Sequence, residues 1–181
     1  MTYAKTLHQH LIGQQGSRRA LNTPALIVDR EALDRNIAAM AAKAAAAGVA
    51  LRPHAKTHKC AAVARRQIAA GALGVCCAKL GEAEALADAG IGGLLITSPV
   101  VGPPAVARLA ALAARCENLM AAVDHPDAVD ALAATGARLS LVVDIDPGIH
   151  RTGVADADAA VALARQIDAA PNLIFAGVQF Y

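Results

Sequence analysis

From Thr23 onward the chain alternates between short, almost continuously apolar runs and longer Ala-rich stretches with helical spacing. Short runs that are apolar throughout are typical of strands buried on both faces of a parallel sheet. The stretches between these runs predict crossover helices. The pattern therefore predicts seven strands, at residues 24–29, 50–57, 74–79, 93–98, 119–124, 139–146 and 173–181.

The first helical stretch indicates how these helices begin and end. Leu33, Ile37 and Met40 recur at helical intervals. Asp29 precedes the stretch and is a favourable N-cap residue, because its carboxylate can accept hydrogen bonds from unpaired N–H groups. Gly48 follows the stretch and can adopt the left-handed conformation that ends many helices. We therefore expect a helix between Asp29 and Gly48.

Repeated strand–helix units allow two folds, a doubly wound sheet and a (β/α)8 barrel. The segment TPALIVDREAL around the first predicted strand lacks G-x-G-x-x-G, which removes the main dinucleotide-binding argument for the doubly wound fold. Most predicted strands end in polar or reactive residues, and in a barrel these ends meet at one mouth. Polar residues can also simply mark where a strand leaves the core, but the whole set favours a TIM-type α/β barrel. The set comprises His54, Lys56, Cys77, Lys79, Thr97, Ser98, Asp124, His125, Asp144, Asp146 and Tyr181.

The length of the chain bears on how complete such a barrel is. The chain has 181 residues, whereas a complete barrel has eight strands and roughly 250 residues. A seventh strand that ends at Tyr181 would leave an unpaired apolar edge. We therefore expect an incomplete barrel with about seven strands, the N-terminal part of a longer protein. Residues 1–22 would be an extension and residues 23–181 the partial barrel. The alternative is an obligate oligomer whose second chain closes the gap.

Composition narrows the class of protein further. The chain is 56% hydrophobic but only 2% aromatic, and its formal net charge is +2, which gives no case for nucleic acid or an anionic membrane as the main partner. The four cysteines form no C-x-x-C pair, which favours reduced thiols. The N-terminus lacks the apolar core of a signal peptide, and Gly and Pro interrupt the most apolar window. We expect a soluble, cytoplasmic protein.

The segment LRPHAKTHKC at residues 51–60 concentrates basic residues in an otherwise apolar chain. On a strand, Arg52, His54 and Lys56 would share one face. Burial and like charges disfavour the ammonium form of a lysine, and a neutral amine is the nucleophile that forms a Schiff base with a carbonyl compound. Cationic neighbours would also suit an anionic cofactor such as a phosphorylated aldehyde. An exposed basic loop is the alternative that spacing alone leaves open.

Five segments together resemble the D-threonine aldolase and D-serine dehydratase family. They are TPALIVDREALDRNI, LRPHAKTHK, GVCCAKLGEAEALADAGI, VVDIDPGIHRTGV and FAGVQFY, and they span Thr23 to Tyr181. The P-H-x-K-T-H-K segment is specific, whereas the strand–helix background is not. The resemblance implies an alanine-racemase-type N-terminal barrel, of fold type III, that binds pyridoxal 5′-phosphate (PLP). Lys56 is then the Schiff-base lysine, and Lys59 is a neighbour at the start of the next helix.

The resemblance also implies the other cofactor-binding residues. The arginine of the family's D-x-G-x-x-R-x-G-V segment matches Arg151, and the tyrosine of its G-x-Q-x-Y strand matches Tyr181. Gln179 precedes that tyrosine on the same strand face. His54 shares the Lys56 face and joins the set, although a lone histidine is more often structural.

The function implied by the resemblance is that of a PLP-dependent lyase with Lys56 as its catalytic residue. Such an enzyme cleaves the Cα–Cβ bond of a D-3-hydroxy amino acid in a retro-aldol reaction, which gives glycine and an aldehyde. The segments are most similar to the D-threonine and 3-hydroxy-D-aspartate aldolase branch. The alternatives are a D-serine or 3-hydroxy-D-aspartate dehydratase, an amino-acid racemase and, without catalysis, a PLP-binding protein or an inactive fragment.

In the family, the eighth strand, a phosphate-binding glycine segment and a C-terminal β-domain follow the point that matches Tyr181. The resemblance implies a divalent metal cation whose ligands lie in that later domain, so we predict no metal ligand in this chain. It also implies a small D-amino acid as substrate and a homodimer for the full-length protein.

Overall fold

The computed structural model describes residues 7–181, and their contacts divide the chain into two units, Met1–Arg35 and Asn36–Tyr181. Two short 3-10 helices, Gln9–Leu11 and Ser17–Ala20, come first. The α-helices are α1 (Arg30–Ala46), α2 (Ala61–Ala69), α3 (Leu80–Asp88), α4 (Pro103–Ala113), α5 (Pro126–Ala133) and α6 (Ala157–Ala169). The strands are β1 (Val75–Cys77), β2 (Leu94–Ile96), β3 (Met120–Val123), β4 (Leu139–Ile145) and β5 (Leu173–Phe180).

The first unit confirms the predicted helix start but not the predicted first strand. Ala32 N donates a hydrogen bond of 2.9 Å to Asp29 Oδ1, which is the expected cap. The strand predicted at residues 24–29 is wrong, because the described residues form no ladder there. Leu26, for example, is fully exposed. An apolar run becomes a strand only where a neighbouring strand pairs with its backbone.

The second unit is built around a parallel sheet with the strand order β1-β2-β3-β4-β5. All five strands lie within predicted runs. The order follows the chain without the reversal that defines a doubly wound sheet. The sheet is therefore the wall of an incomplete barrel, with five strands rather than the expected seven.

The other missing strand is the one predicted at residues 50–57. This segment lies beside β1, but it forms only an isolated bridge, between His54 and Cys76. Ala55 N donates to Cys76 O and Cys76 N to Pro53 O, each over 2.8 Å. The chain then turns, because Lys59 N donates to Ala55 O over 2.8 Å. This turn ends the pairing and brings Lys56 to the carboxyl end of β1.

The core lies between the sheet and its helices. Side chains that alternate along the strands, such as Leu141 and Val143 of β4, join those of the helices in one buried aliphatic cluster. Val142 is also buried but lies outside this cluster, since successive residues of a strand point to opposite faces. Asp144 follows on the same face as Val142 and is only 2% exposed. On the opposite face of the sheet, the apolar Val142 is therefore followed by the buried carboxylate of Asp144 near the end of β4.

Candidate active site

A pocket of about 590 Å³ lies at the carboxyl ends of the strands. Parallel barrels place their active sites at this end, because the strand ends and the loops that follow them converge there. The pocket brings together all five residues predicted for the site, which are His54, Lys56, Arg151, Gln179 and Tyr181. Lys79, Thr97, Ser98, Asp124, Asp144, Thr152 and Phe180 also line it.

Lys56 lies in the turn after the bridged segment, and its side chain is exposed to the pocket. Its Nζ is 5.7 Å from the centroid of the Tyr181 ring. The expected burial of Lys56 is therefore wrong for this chain. The physical reason is that the five strands do not close, so that the inner face of the sheet is open at this end. Lys56 is accessible to a small molecule that enters the pocket.

Two basic residues close to Lys56 in sequence lie elsewhere. Arg52 does not line the pocket, because its guanidinium donates to the main-chain oxygen of Gly93 at the amino end of β2. Lys59 stands just before α2, as expected, and its Nζ is 3.4 Å from Glu82 Oε1. Glu82 Oε2 also accepts a hydrogen bond of 2.8 Å from Ala78 N. Of Arg52, Lys56 and Lys59, Lys56 is therefore the one that lines the pocket.

His54 is held in one orientation beside Lys56. Its Nδ1 accepts a hydrogen bond of 3.4 Å from Lys56 N, and its Nε2 lies 3.3 Å from Thr97 Oγ1. Thr97 Oγ1 donates its own hydrogen to Cys77 O, so that it accepts from the imidazole. Burial lowers the pKa of His54, and the Lys56 ammonium lowers it further. These contacts favour the neutral imidazole with the proton on Nε2.

Arg151 is positioned by the loop between β4 and α6. Asp146 Oδ1 accepts hydrogen bonds from the main-chain N–H groups of Gly148, Ile149 and His150 over 2.8–3.0 Å. These bonds, with that from His150 N as the strongest influence, lower the pKa of Asp146. The loop brings Arg151 Cζ to 4.5 Å from the Tyr181 ring centroid.

The far end of the same loop is fixed by Gly153. Its N–H donates to Asp124 Oδ2 over 3.0 Å. Gly153 has a φ of 106°, and a Cβ atom at this position would come within 2.6 Å of the Ile145 carbonyl carbon. The sequence signal for this loop is the D-x-G-x-x-R-x-G-V segment, which contains both Asp146 and Gly153.

Gln179 reaches the pocket because of an irregularity in the pairing of β4 with β5. The register shifts between Leu141 and Val142, which pair with Phe175 and Gly177, so that Ala176 is passed over. A bulge of this kind re-aims the residues that follow it. Gln179 consequently pairs with Asp144, and its Nε2 donates to Asp144 Oδ1 over 2.9 Å.

Asp144 and Thr97 were predicted as polar strand ends but not as members of the binding set. Thr97 contacts His54 through its hydroxyl group and Gln179 through its main-chain oxygen. Asp144 contacts Gln179 through its carboxylate. The sequence indicates both residues only through their position at the ends of apolar runs. Which partner each would contact depended on the strand register, which the sequence pattern does not give.

None of the four cysteines is among the residues that line this pocket. All four thiols are free. Burial raises the pKa of Cys77 to about 12 and also raises the pKa of Cys76 and of Cys116. The thiolate is the reactive form of cysteine, so these three thiols are poor nucleophiles at neutral pH.

Residues 7–181 lack two features, a metal-binding cluster and a membrane-spanning helix. This part of the chain has no cluster of three or more His, Cys, Asp or Glu side chains arranged to hold a metal ion. It also has no helix that combines the length and the apolar character needed to cross a membrane.

Comparisons with known proteins identify relatives of this chain. The chain is 41% identical over 165 residues to a D-threonine aldolase from an Arthrobacter species, and 40% identical over 166 residues to a 3-hydroxy-D-aspartate aldolase from Paracoccus denitrificans. In each case the match covers 89% of this chain but 43% of the relative, so the chain spans less than half the length of these curated relatives. It is also 36% identical over 154 residues to a D-threo-3-hydroxyaspartate dehydratase from a Delftia species.

Solved structures give the same result. A D-threonine aldolase from Filomicrobium marinum superimposes with a TM-score of 0.84 at 45% identity, over 87% of this chain and 44% of the other. An alanine racemase from E. faecalis shares the fold, with a TM-score of 0.71 at 22% identity. The family model described as "Alanine racemase, N-terminal domain" matches residues 28–181. These matches confirm the predicted resemblance and the barrel fold, and the chain belongs to the alanine racemase N-terminal domain family.

Proposed function

We propose that this chain is the PLP-binding barrel of a lyase that cleaves D-3-hydroxy amino acids into glycine and an aldehyde. The observation that carries the proposal is that Lys56 and Arg151 approach the same Tyr181 ring, within a pocket at the carboxyl ends of the strands. An accessible primary amine close to a cation is a combination that suits a phosphorylated aldehyde. The similarity to two kinds of D-3-hydroxy amino acid aldolase supports the substrate class.

The residues of the pocket fit PLP. Lys56 Nζ would hold the cofactor covalently through its aldehyde carbon. Arg151 would bind an anionic group of the cofactor or the carboxylate of the substrate, because a guanidinium stays charged and has several donors. Tyr181, Gln179 and His54 would complete the cofactor-binding set. Bound PLP supplies an electron sink for the bond that breaks at the substrate's Cα.

The protein's own contribution is to position groups and to handle protons. Retro-aldol cleavage needs removal of the proton from the 3-hydroxyl of the substrate. Lys56 Nζ would serve as a base once the substrate has displaced it from the cofactor. A neutral His54 beside Lys56 would avoid adding another positive charge next to this amine.

Dehydration is the second candidate, and the similarity to a D-threo-3-hydroxyaspartate dehydratase favours it. A solved variant of such a dehydratase superimposes with a TM-score of 0.83 at 33% identity. Racemisation is a third candidate, since the chain is 33% identical over 138 residues to an alanine racemase from Mycolicibacterium smegmatis. A PLP-binding protein or an inactive fragment is the non-enzymatic alternative. We further infer a homodimer for the full-length protein, a cytoplasmic location and a divalent metal held by residues outside this chain.

The first test of the proposal is covalent labelling. The chain is incubated with PLP, reduced with borohydride and mapped by peptide mass. We expect the adduct at Lys56 in the wild type and in K59R, and its loss in K56R, which keeps the positive charge but cannot form the bond. An adduct spread evenly over Lys43, Lys59 and Lys79, or equal labelling in K56R, would contradict a PLP site at Lys56.

Product analysis separates the candidate reactions. The PLP-loaded chain is incubated with D-threonine, and the products are separated by chiral chromatography and identified by mass spectrometry. Glycine with acetaldehyde indicates an aldolase, 2-oxobutyrate with ammonia indicates a dehydratase, and L-configured product indicates a racemase. Stable labelling of Lys56 without any of these products would support a PLP-binding protein instead.

A further inference from the structure

The contact between Asp144 and Gln179 is a feature that the proposed chemistry does not use. Asp144 is 2% exposed, although burial of a carboxylate is unfavourable unless its oxygens are hydrogen-bonded. Its side chain has Gln179 Nε2 as hydrogen-bond partner, at 2.9 Å. The bulge at Ala176 brings the two residues opposite one another, since an unbroken register from Leu141 and Phe175 would have paired Asp144 with Val178. The register of β5 thus places an amide against a buried carboxylate.

The partners of Gln179 determine which atom of its carboxamide remains available. Nε2 donates to Asp144 Oδ1 and to Thr97 O, each over 2.9 Å. Both partners accept hydrogen bonds, so the amide nitrogen must face them, and its two hydrogens are both used. Oε1 has no hydrogen-bond partner among the described residues and is the remaining polar atom of a side chain that lines the pocket. Gln179 therefore offers the pocket an acceptor and not a donor.

We propose that Asp144 is a positioning residue that orients the Gln179 carboxamide so that its oxygen accepts a hydrogen bond from a hydroxyl group of the ligand. This inference rests on the proposed function, because a D-3-hydroxy amino acid carries such a hydroxyl group next to the bond that breaks. The ring hydroxyl of PLP is a second source of the same chemistry. In either case, the pocket discriminates against a ligand that lacks the hydroxyl, since binding such a ligand would cover the Gln179 oxygen and leave it without a hydrogen-bond partner.

The chain contains a matched control for Gln179. Gln166 Nε2 also donates to a carboxylate and to a main-chain carbonyl, at 2.6 Å from Asp130 Oδ1 and 3.1 Å from Pro126 O. Gln166 lies on α6, is not among the residues that line the pocket, and keeps the same kind of amide contacts. Q179L and Q166L thus remove similar hydrogen bonds, but only Q179L removes an acceptor from the pocket.

The test measures the preference for a hydroxyl group in the PLP-loaded chain. Binding of D-threonine and of D-2-aminobutyrate, which lacks the hydroxyl, is followed by the absorbance of the cofactor. The cofactor arm compares the affinities of PLP and 3-deoxypyridoxal 5′-phosphate. We expect about a tenfold preference for the hydroxylated compound in one of the two arms, as for one well-formed hydrogen bond. The arm that shows the preference identifies the source of the hydroxyl.

The variants decide whether Asp144 acts through Gln179. Q179L and D144A should reduce the preference to less than about twofold, whereas Q166L should keep it. D144N should also keep it, because the asparagine oxygen can still accept from Gln179 Nε2. A preference that survives in Q179L, or one that is lost in D144N as fully as in D144A, would overturn the proposal. If D144A does not fold, the comparison of Q179L with Q166L and D144N still decides.

A second measurement needs no ligand. The Gln179 side-chain amide protons, followed by NMR, should exchange with solvent about tenfold faster in D144A than in the wild type and D144N, because one of their two acceptors is lost. Equal exchange in the three proteins would refute the positioning role. If the chain takes up no PLP, the proposed function fails on that result, while the amide exchange still decides the orientation of Gln179.

Discussion

The two ends of the sheet in the second unit use polar groups in different ways. At the amino ends, a cavity of about 490 Å³ is lined partly by Arg65, the glycines 90, 92 and 93, and Glu117. The arginines there bond main-chain oxygens, as Arg52 does with Gly93 and Arg65 with Ala89. At the carboxyl ends, polar side chains contact one another, and Lys56, Arg151 and the Gln179 oxygen retain groups that can bind a ligand. Polar groups that satisfy the backbone indicate a structural role, whereas those that face a pocket with unused capacity indicate binding.

The largest effect is expected from a substitution at the amino ends. In G93A, the new Cβ would contact the main-chain oxygen of Leu73 and would lie 3.3 Å from Gly74 Cα. Both are backbone atoms, which cannot move away without distorting the chain. We expect a loss of about 3 kcal/mol in the free energy of unfolding, from steric overlap and the positive φ together. Urea denaturation measures it.

A matched control separates the two causes. Gly48 has the same φ of 65° as Gly93, but a Cβ at Gly48 would have no atom within 4 Å. G48A should therefore cost about 1 kcal/mol, the strain of the left-handed conformation alone. Equal losses in G48A and G93A would show that the steric overlap with residues 73 and 74 adds nothing to the loss in G93A.

At the carboxyl ends, we expect a substitution to change ligand affinity and to leave stability almost unchanged. R151M should lower the affinity for PLP or for an anionic substrate about tenfold, because the pocket loses a cation. The free energy of unfolding should change by less than about 0.5 kcal/mol, because Arg151 is exposed and its contact with Tyr181 is a weak one. Absorbance titration with PLP and urea denaturation measure the two effects.

Arg138 provides the control for this substitution, since it is exposed and does not line the pocket. R138M should leave both the affinity for PLP and the stability unchanged. A loss of stability in R151M similar to that in G93A would remove the distinction between a binding end and a structural end of the sheet.

The sequence predicted the location of the site better than its contacts. The carboxyl ends of parallel strands meet wherever the fold is a barrel, so that polar strand ends could be assigned to one pocket from pattern alone. The pairing of Asp144 with Gln179 could not be predicted, because it depends on one bulge that Gly177 alone marks in the sequence. The strand predicted at residues 24–29 is wrong for a similar reason, since the local sequence pattern does not show whether a partner strand is present.

The smallest effect concerns Glu82, which ties the basic segment to the start of α3. Burial would raise the pKa of Glu82, but hydrogen bonds from Ala78 N and the Lys59 ammonium outweigh it and lower the pKa below the ordinary 4.5. A carboxyl group whose pKa is lower in the folded state contributes stability above the unfolded pKa and loses it as the pH falls through the folded value.

E82Q should therefore be less stable than the wild type by about 1 kcal/mol at neutral pH, the net worth of a hydrogen-bonded charge that is partly solvated. The difference should shrink as the pH is lowered below 4.5, because the wild-type carboxyl group then becomes protonated and loses its charge. Urea denaturation over this pH range measures the difference. A difference that stays constant below pH 4.5 would show that Glu82 acts through packing and not through its charge. The ion pair with Glu82 would then not be what holds the Lys59 side chain outside the pocket.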